Sequence, residues 1–393
     1  MSKTFFTHLR CNYCDQTYSP ESVQTTCQKC GKALLAEYDL ASAKKYVTPG
    51  LFASREGTLW RYRELLPMFD DASIISLGEG WTPLLHMKKL GKELGLPNLY
   101  LKDEGLNPTG SFKARGLCLA VSKARELGIT EVAMPSAGNA GGALAAYAAK
   151  AKIKTHVFIP KDTPVVNIKE VSMYGGVVYL VEGVISDAAK KMNDMRRGKN
   201  WFDMSTMKEP YRLEGKKTLG YELAEQFRWK LPDVIVYPTG GGTGLIGMWK
   251  AFREMEELGW ISGKKPKMVS VQTLGCAPIV KAFREKQRVS HCWENATTVA
   301  SGLRVPKAFA DTLILDTLYE SGGTAIAVSD DDLIREMKHV AAKEGIFLCP
   351  ESAAAVVAVR QLIEIGFVAD SDTVTVFNTG SGYKYVELFT QPT

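Results

Sequence analysis

The sequence predicts an α/β protein built on parallel sheets and preceded by a small metal-binding ribbon. Three observations support this. Two C-x-x-C pairs stand near the start of the chain. From about residue 98, short β-rich runs alternate with helical patterns, as in parallel sheets covered by helices. Glycine-bearing turns follow several of these runs, and open α/β folds bind ligands at such strand ends.

Length and charge limit the function classes. A chain of 393 residues is long enough for two lobes. The net charge of +6 comes from 49 basic and 43 acidic residues without a long basic run, so nucleic-acid binding is not expected. The N-terminus lacks a secretory pattern, and no apolar run approaches ~20 residues. We therefore expect a cytoplasmic protein without membrane segments.

Four cysteines form two pairs on tight turns. Cys11 and Cys14 make the first pair, and Cys27 and Cys30 make the second. Two such turns direct four sulfur ligands to one point, which is the spacing of a closed structural zinc site. We predict a zinc-ribbon-like domain over residues 1–40; the alternative is four reduced thiols without metal. The other cysteines are interpreted as inert packing residues: Cys118, Cys276, Cys292 and Cys349.

The alternating region contains seven predicted strands and two clear helices. The helices cover residues 140–150 and 330–345, and the second has an acidic start and a basic end, which complement the helix dipole. The strands cover residues 99–101, 132–134, 155–159, 177–181, 234–237, 268–271 and 374–377. No internal repeat or obvious linker interrupts this pattern. Function is therefore expected where the strands end.

Lys113 is the candidate nucleophile. The turn-forming residues 107–112 lead into a helical pattern that places Lys113 in the first turn. The helix dipole and partial burial both disfavour an ammonium there, so the side chain is driven towards a neutral amine that can attack an aldehyde. By position alone, an ordinary exposed lysine is the competing interpretation. The turns described next favour the chemical role.

A glycine-rich turn follows the strand at residues 234–237. Its residues are Gly240, Gly241, Gly242, Thr243 and Gly244. Such a turn lets several backbone N–H groups and a helix N-terminus approach one phosphate. The string also matches G-x-G-x-x-G, but the next strand ends in Gln272 where a dinucleotide site requires an acidic residue. A purely structural turn is the other alternative, and a Walker loop is excluded because no Gly-Lys-Ser/Thr follows.

Two further strand ends carry polar groups. The strand at residues 132–134 is followed by a helix N-terminus suited to a carboxylate, with the residues Ser136, Ala137, Gly138, Asn139 and Ala140. The last strand ends in a turn that presents the hydroxyl of Thr379. Together with Lys113, these strand ends predict a site for an aldehyde cofactor that carries a phosphate.

At this point the sequence resembles the threonine synthase group of fold-type II pyridoxal-phosphate enzymes, in the tryptophan synthase β-like superfamily. An N-terminal zinc ribbon also occurs in that family. The resemblance covers nearly the whole chain and is carried by residues 76–84, 107–113, 136–139, 210–218, 240–244 and 379–384. It implies a zinc ribbon followed by two open, twisted parallel-sheet lobes. The large lobe would comprise residues 41–106 and 216–393, and the mobile small lobe residues 107–215.

The resemblance also implies residue roles. Lys113 would form the cofactor imine and shuttle protons, Asn139 would face the phenolic oxygen, and residues 240–244 would hold the phosphate. Thr379 would face the pyridine nitrogen and leave it largely unprotonated, which suits elimination. Residues 136–140 would bind the substrate carboxylate. Arg212 and Lys216 are candidates for a substrate phosphate, with ordinary exposed charges as the alternative.

The implied reaction is conversion of O-phospho-L-homoserine and water to L-threonine and phosphate by a homodimer. Two residues depart from the family pattern: Ala114 stands where an aspartate is common, and Ala140 where a threonine is common. Both changes remove polar groups near the cofactor. A threonine or serine dehydratase and a β-replacement enzyme acting on O-phosphoserine therefore remain open. A nucleic-acid or partner-binding protein with an inactive lysine is the alternative from another class.

Overall fold

The computed structural model describes residues 4–389 and contains thirteen strands within that range. They are β1 Phe6–Cys11, β2 Thr17–Tyr18, β3 Leu34–Tyr38, β4 Leu84–His86, β5 Leu99–Asp103, β6 Glu131–Pro135, β7 Lys154–Pro160, β8 Val177–Val181, β9 Phe202–Asp203, β10 Val234–Pro238, β11 Lys267–Thr273, β12 Thr324–Val328 and β13 Val374–Asn378.

The same range contains twelve α-helices. They are α1 Leu40–Tyr46, α2 Lys88–Leu94, α3 Lys113–Glu126, α4 Asn139–Ala151, α5 Val165–Met173, α6 Ile185–Met195, α7 Tyr211–Gln226, α8 Thr243–Leu258, α9 Pro278–Arg284, α10 Asp311–Glu320, α11 Asp330–Glu344 and α12 Pro350–Glu364. Short 3₁₀ turns cover Pro49–Phe52, Leu59–Leu65, Asp71–Ser73, Glu104–Leu106, Pro108–Gly110, Ser301–Leu303 and Gly382–Phe389. No helix of the described residues is long and apolar enough to cross a membrane.

The chain divides into two compact units. The first comprises the chain up to Trp81, Lys113–Glu222 and Lys250–Ile261, and the second comprises Thr82–Phe112, Leu223–Trp249 and the chain from Ser262 onward. Residues 41–81 thus group with the segment that contains Lys113, whereas the predicted lobes place them in the large lobe. The division into a large lobe and a mobile small lobe stays a prediction.

Each unit has its own parallel sheet, as the alternating pattern predicted. The first unit contains a four-stranded sheet of order β8-β7-β6-β9, and the second a six-stranded sheet of order β12-β11-β10-β13-β5-β4. Only β4 runs antiparallel to its neighbour within these two sheets. All seven predicted strands are present. The prediction missed three strands of these sheets: β4 and β9, which have only three and two residues, and β12, whose Thr-Ala-Ile-Ala-Val run is rich in alanine.

The N-terminal ribbon packs on the core of the first unit. Its strands form an antiparallel sheet of order β2-β1-β3. Leu9, Leu34 and Ala36 from this sheet are buried in the same apolar cluster as residues of α3 and α4. The ribbon therefore shares a hydrophobic core with the helices that begin at Lys113 and Asn139.

Helices α3 and α7 of the first unit cross at two glycines. A Cβ on Gly116 would lie 2.8 Å from the carbonyl oxygen of Arg212 and even closer to Lys216 Nζ, and a Cβ on Gly215 would collide with the carbonyl of Arg115. The two backbones can approach this closely only because neither position has a side chain. This crossing brings the residues near the start of α7 to the first turn of α3.

A buried carboxylate, Glu79, ties α3 to α4. It accepts hydrogen bonds from Cys118 Sγ on α3 at 2.9 Å and from Tyr147 OH on α4 at 2.7 Å. Trp60, Ser76 and the backbone N–H of Leu77 donate to the same carboxylate. Burial and this carboxylate raise the pKa values of Cys118 and Tyr147. Through its bonds to Cys118 and Tyr147, Glu79 thus joins the two helices whose first turns carry candidate site residues.

Candidate active site

Lys113 is the first residue of α3 and is partly buried, as the sequence predicted for its position. The preceding segment is anchored in the second unit. Phe112 donates its backbone N–H to the carbonyl of Thr379 at 3.1 Å, and Ser111 forms a β-bridge with Gly380. The turn that presents the Thr379 hydroxyl is therefore bonded to the residues directly before Lys113 in the chain.

Arg212 and Lys216 lie on α7 in the first unit and are both buried, at 1% and 0% exposure. The interpretation of these two residues as ordinary exposed charges is therefore wrong. Arg212 donates from Nη1 to the carbonyl of Met204 at 2.7 Å. Burial, together with the cations of Arg212 and Lys113, holds the pKa of Lys216 well below its usual range. The structure thus brings Lys113, Arg212 and Lys216 into one electrostatic neighbourhood.

Glu209 was missed by the sequence analysis. Its buried carboxylate accepts hydrogen bonds from the backbone N–H groups of Tyr211 at 2.8 Å and Arg212 at 3.1 Å, and so caps the start of α7. Burial raises the pKa of Glu209 to about 7, although Arg212 and Lys216 act in the opposite direction. The position of a glutamate just before a helix could have indicated the cap, but not its burial beside two cations.

The loop after β6 begins α4 and contains the predicted carboxylate-binding residues. Ser136 uses its hydroxyl within the loop: Oγ accepts from the N–H of Gly141 at 2.9 Å and donates to the carbonyl of Gly138 at 2.9 Å. Asn139 Oδ1 is buried and has no hydrogen-bond partner within residues 4–389. Since the first N–H groups of a helix have no intrahelical acceptor, this loop can offer backbone donors to an anion.

The glycine-rich turn lies in the second unit, where β10 ends and α8 begins at Thr243. Its glycines are also required by the protein's own packing. A Cβ at Gly240 would collide with the carbonyl of Gly302, one at Gly242 with Ile314, and one at Gly244 with Tyr237. Gly242 in addition has a φ of +76°, which favours glycine. The turn therefore combines a close-packed side with the N-terminus of a sixteen-residue helix, an arrangement suited to a phosphate.

Thr379 follows β13 in the second unit and is buried. Its backbone N–H donates to Ser352 Oγ at 2.8 Å. Its own hydroxyl lies 3.5 Å from Ser352 Oγ and 3.8 Å from Cys349 Sγ. These neighbours are neutral hydroxyl and thiol groups from the start of α12. The hydroxyl of Thr379 is thus surrounded by uncharged partners.

The four N-terminal cysteines converge in the ribbon of the first unit. The sulfur atoms of Cys11, Cys14, Cys27 and Cys30 all lie within 4.8 Å of one another. Among the other four cysteines, Cys292 is exposed, so its interpretation as a packing residue is wrong; it lies in a loop of the second unit. Four sulfurs at one point form a donor set that suits Zn²⁺ and leaves no open coordination position.

Comparison with known proteins identifies the family. The model of the family described as "Pyridoxal-phosphate dependent enzyme" matches residues 75–380. A threonine synthase of Methanocaldococcus jannaschii is 37% identical over 95% of this chain and 92% of its own length. A threonine synthase of Mycobacterium tuberculosis is 33% identical over 84% of this chain and 88% of its own.

Solved structures share the fold at lower identity. A threonine deaminase isoform from Solanum lycopersicum superposes with a TM-score of 0.67 at 22% identity, over 78% of this chain and 81% of its own. A serine racemase from Dictyostelium discoideum has a TM-score of 0.64 at 24% identity, over 76% and 92% of the two chains. The predicted fold class, two parallel-sheet lobes of the fold-type II kind, is confirmed.

Proposed function

Because the chain belongs to the family of pyridoxal-phosphate-dependent enzymes, we propose that it is a threonine synthase, which converts O-phospho-L-homoserine and water to L-threonine and phosphate. The observation that carries this proposal is the pair of buried basic side chains, Arg212 and Lys216, beside the helix that begins at Lys113. A buried guanidinium and a buried amine next to the reacting lysine suit a substrate with a phosphate group, because the negative charge of a phosphate favours protonation of the amine. The relatives named threonine synthase support the same reaction.

The residues present fit the cofactor. The backbone N–H groups of the glycine turn and the N-terminus of α8 would hold its phosphate. Asn139, the first residue of α4, is the candidate partner of its phenolic oxygen, to which the amide Nδ2 would donate. The hydroxyl of Thr379 is the candidate partner of its ring nitrogen. When bound, pyridoxal phosphate withdraws electron density from the substrate's α-carbon and so eases loss of a proton there.

The chain's own groups then have distinct tasks. Lys113 Nζ would hold the cofactor through its aldehyde and would carry protons to and from the substrate carbons. The N–H groups of residues 136–140 orient the substrate carboxylate. Arg212 and Lys216 hold the substrate phosphate and stabilise it as it leaves. Glu209 caps α7 and so holds the start of the helix that contains Arg212 and Lys216 in position.

The two residues that depart from the family pattern, Ala114 and Ala140, pack in or against the apolar cluster of the first unit. Ala114 is completely buried within the apolar cluster of α3 and α4, where a charged aspartate would be costly. Ala140 is partly buried and packs against the same cluster. Because both alanines depart from the family pattern, the assay must also test for a dehydratase and for an enzyme that acts on O-phosphoserine. The homodimer and the mobile small lobe are proposals supported by the resemblance alone.

The assay measures released phosphate and L-threonine from O-phospho-L-homoserine with the cofactor-loaded protein. We expect the two products in equal amounts, and none with the Lys113→Ala variant. The same protein is then given L-threonine, L-serine and O-phospho-L-serine. If O-phospho-L-homoserine is not turned over while L-threonine yields 2-oxobutanoate, the protein is a dehydratase and the proposal is wrong. Turnover of O-phospho-L-serine alone, with an added nucleophile, would contradict it equally.

We also propose that the four ribbon cysteines bind one structural Zn²⁺. Mass-spectrometric metal analysis of the purified chain is expected to find about one zinc per chain, because four thiolates close a tetrahedral site. Cys14→Ser is expected to lose most of this zinc and to lower the melting temperature, since the ribbon shares the core of the first unit. Cys292→Ser, which changes an exposed cysteine outside the ribbon, is the matched control. Metal content unaffected by Cys14→Ser would contradict the zinc site.

A further inference from the structure

Two buried polar side chains in the first unit have no hydrogen-bond partner inside the described residues. They are Thr163 and Asn167, which flank the start of α5 and are 4% and 1% exposed. Thr163 Oγ1 and both polar atoms of the Asn167 amide, Oδ1 and Nδ2, lack a partner there. Leaving such groups buried without a hydrogen-bond partner destabilises the folded protein. Groups of this kind are therefore candidates for contact with a ligand.

Packing between α4 and α5 shows which way Asn167 faces. A Cβ on Gly141 in α4 would lie 3.2 Å from Val171 Cγ2 in α5, and one on Gly142 would meet the carboxyl group of Glu170. Asn167 precedes these two α5 residues by three and four positions. Because residues at those spacings share one face of a helix, Asn167 lies on the face of α5 that packs against α4.

The parallel arrangement of β6 and β7 shows which residues near the start of α4 lie beside Asn167. Strands β6 and β7 are parallel neighbours, with Pro135 opposite Phe158. Each is followed by a helix that starts just beyond its carboxyl end, so α4 and α5 run side by side in the same direction. One turn back from Glu170 therefore brings Asn167 level with the residues before Gly141, which form the loop of residues 136–140.

That loop has few side-chain donors of its own. The Ser136 hydroxyl is engaged with Gly138 and Gly141, and Ala137 and Ala140 have no polar side-chain atoms. A carboxylate bound at the start of α4 would meet backbone N–H groups from this loop. The Asn167 amide of α5 and the hydroxyl of Thr163, which precedes this helix, could add neutral donors to the same anion. The nearest acidic group on this face of α5, Glu170, lies one turn further along.

We propose that Asn167, assisted by Thr163, donates a hydrogen bond to the α-carboxylate of the amino-acid substrate. The inference rests on the proposed function only in that the ligand is an α-amino acid. It assigns a specificity-determining role to the first turn of α5, in a protein whose carboxylate loop carries alanines at two positions. The alternative is that buried waters satisfy both side chains and no ligand touches them.

The test compares L-threonine with L-threoninamide, which lacks the carboxylate charge. Binding of each to the cofactor-loaded full chain is measured by titration calorimetry. The variants are Asn167→Asp, which places a like charge near the carboxylate, and Thr163→Val, which removes the hydroxyl at nearly constant volume. Ser172→Ala, an exposed change on the same helix, is the matched control. Melting temperatures of all variants are measured in parallel to exclude loss of folded protein.

We expect Asn167→Asp to weaken L-threonine binding about 30-fold and Thr163→Val about 5-fold. Affinity for L-threoninamide should change less than threefold in either variant, and Ser172→Ala should bind both compounds as wild type does. Equal weakening of both compounds, or unchanged L-threonine binding in folded Asn167→Asp, would overturn the inference.

The outcome also separates this inference from the proposed function. If Asn167→Asp weakens binding of L-threonine but not of L-threoninamide, the inference holds even when O-phospho-L-homoserine is not turned over. If wild type binds no L-threonine, the same variants are titrated with L-serine and O-phospho-L-serine. Failure of wild type to bind any of these α-amino acids would overturn the inference, whereas the proposed function is decided separately by turnover of O-phospho-L-homoserine.

Discussion

Lys113→Ala is expected to abolish turnover, with activity lower by about 1,000-fold or more. The residue begins α3 and is partly buried, at the positive end of a fourteen-residue helix that disfavours an ammonium. The substitution removes the amine that links to the cofactor aldehyde and carries protons during the reaction. Alanine favours a helix, so the fold should persist and the loss should be chemical.

Two measurements distinguish loss of the Lys113 amine from unfolding as the cause of lost turnover. Borohydride reduction of the cofactor-loaded wild type should add the cofactor mass to the peptide that contains Lys113, and the variant should show no such adduct. The variant should also lose the visible absorption band of the wild type while its melting temperature changes little. Lys88→Ala, at an exposed lysine that begins α2, serves as the control. An adduct on another lysine in wild-type protein would show that Lys113 is not the linking residue.

The sequence predicted those parts of the fold and site that depend on local order. Alternating apolar runs located seven strands because a buried parallel strand is a short, β-branched run flanked by turns. The position of Lys113 at a helix start followed from the turn-forming residues before it. The paired cysteines predicted a convergent cluster because each C-x-x-C turn is a self-contained geometry. Each of these inferences used residues that are close together in the chain.

Features that depend on residues far apart in the chain could not be predicted. Arg212 and Lys216 have no local pattern that marks them as buried; their burial follows from the crossing of α3 and α7 at Gly116 and Gly215. Asn167 is an ordinary residue near a helix start until the packing of α5 on α4 is known. Glu209 acquires its raised pKa from burial, which the sequence does not reveal. Tertiary contacts thus decide the charges around Lys113.

Arg115→Met is expected to reduce the free energy of unfolding by about 3–5 kcal/mol. Arg115 on α3 and Glu222 on α7 are both completely buried and form a two-bonded pair, with N···O distances of 2.7 and 2.9 Å. Arg115 also donates to Thr218 at 3.2 Å, and Glu222 accepts the backbone N–H of Trp81 at 2.8 Å. Removing the arginine leaves an uncompensated carboxylate inside the first unit. Urea denaturation of the cofactor-free protein measures the change.

We expect the free energy of unfolding to fall because the buried carboxylate of Glu222 is left unpaired, and not because the ion pair itself is strongly stabilising. A double variant tests this distinction. The double variant Arg115→Met/Glu222→Met removes both charges and should be more stable than Arg115→Met alone by at least about 1 kcal/mol, although Trp81 then loses its acceptor. Arg288→Met breaks a pair with Asp316 whose arginine is 76% exposed and should cost less than about 1 kcal/mol. A double variant less stable than Arg115→Met would show that the pair itself stabilises the α3–α7 crossing. In that case the ion pair would contribute directly to holding α7, with Arg212 and Lys216, against the helix of Lys113.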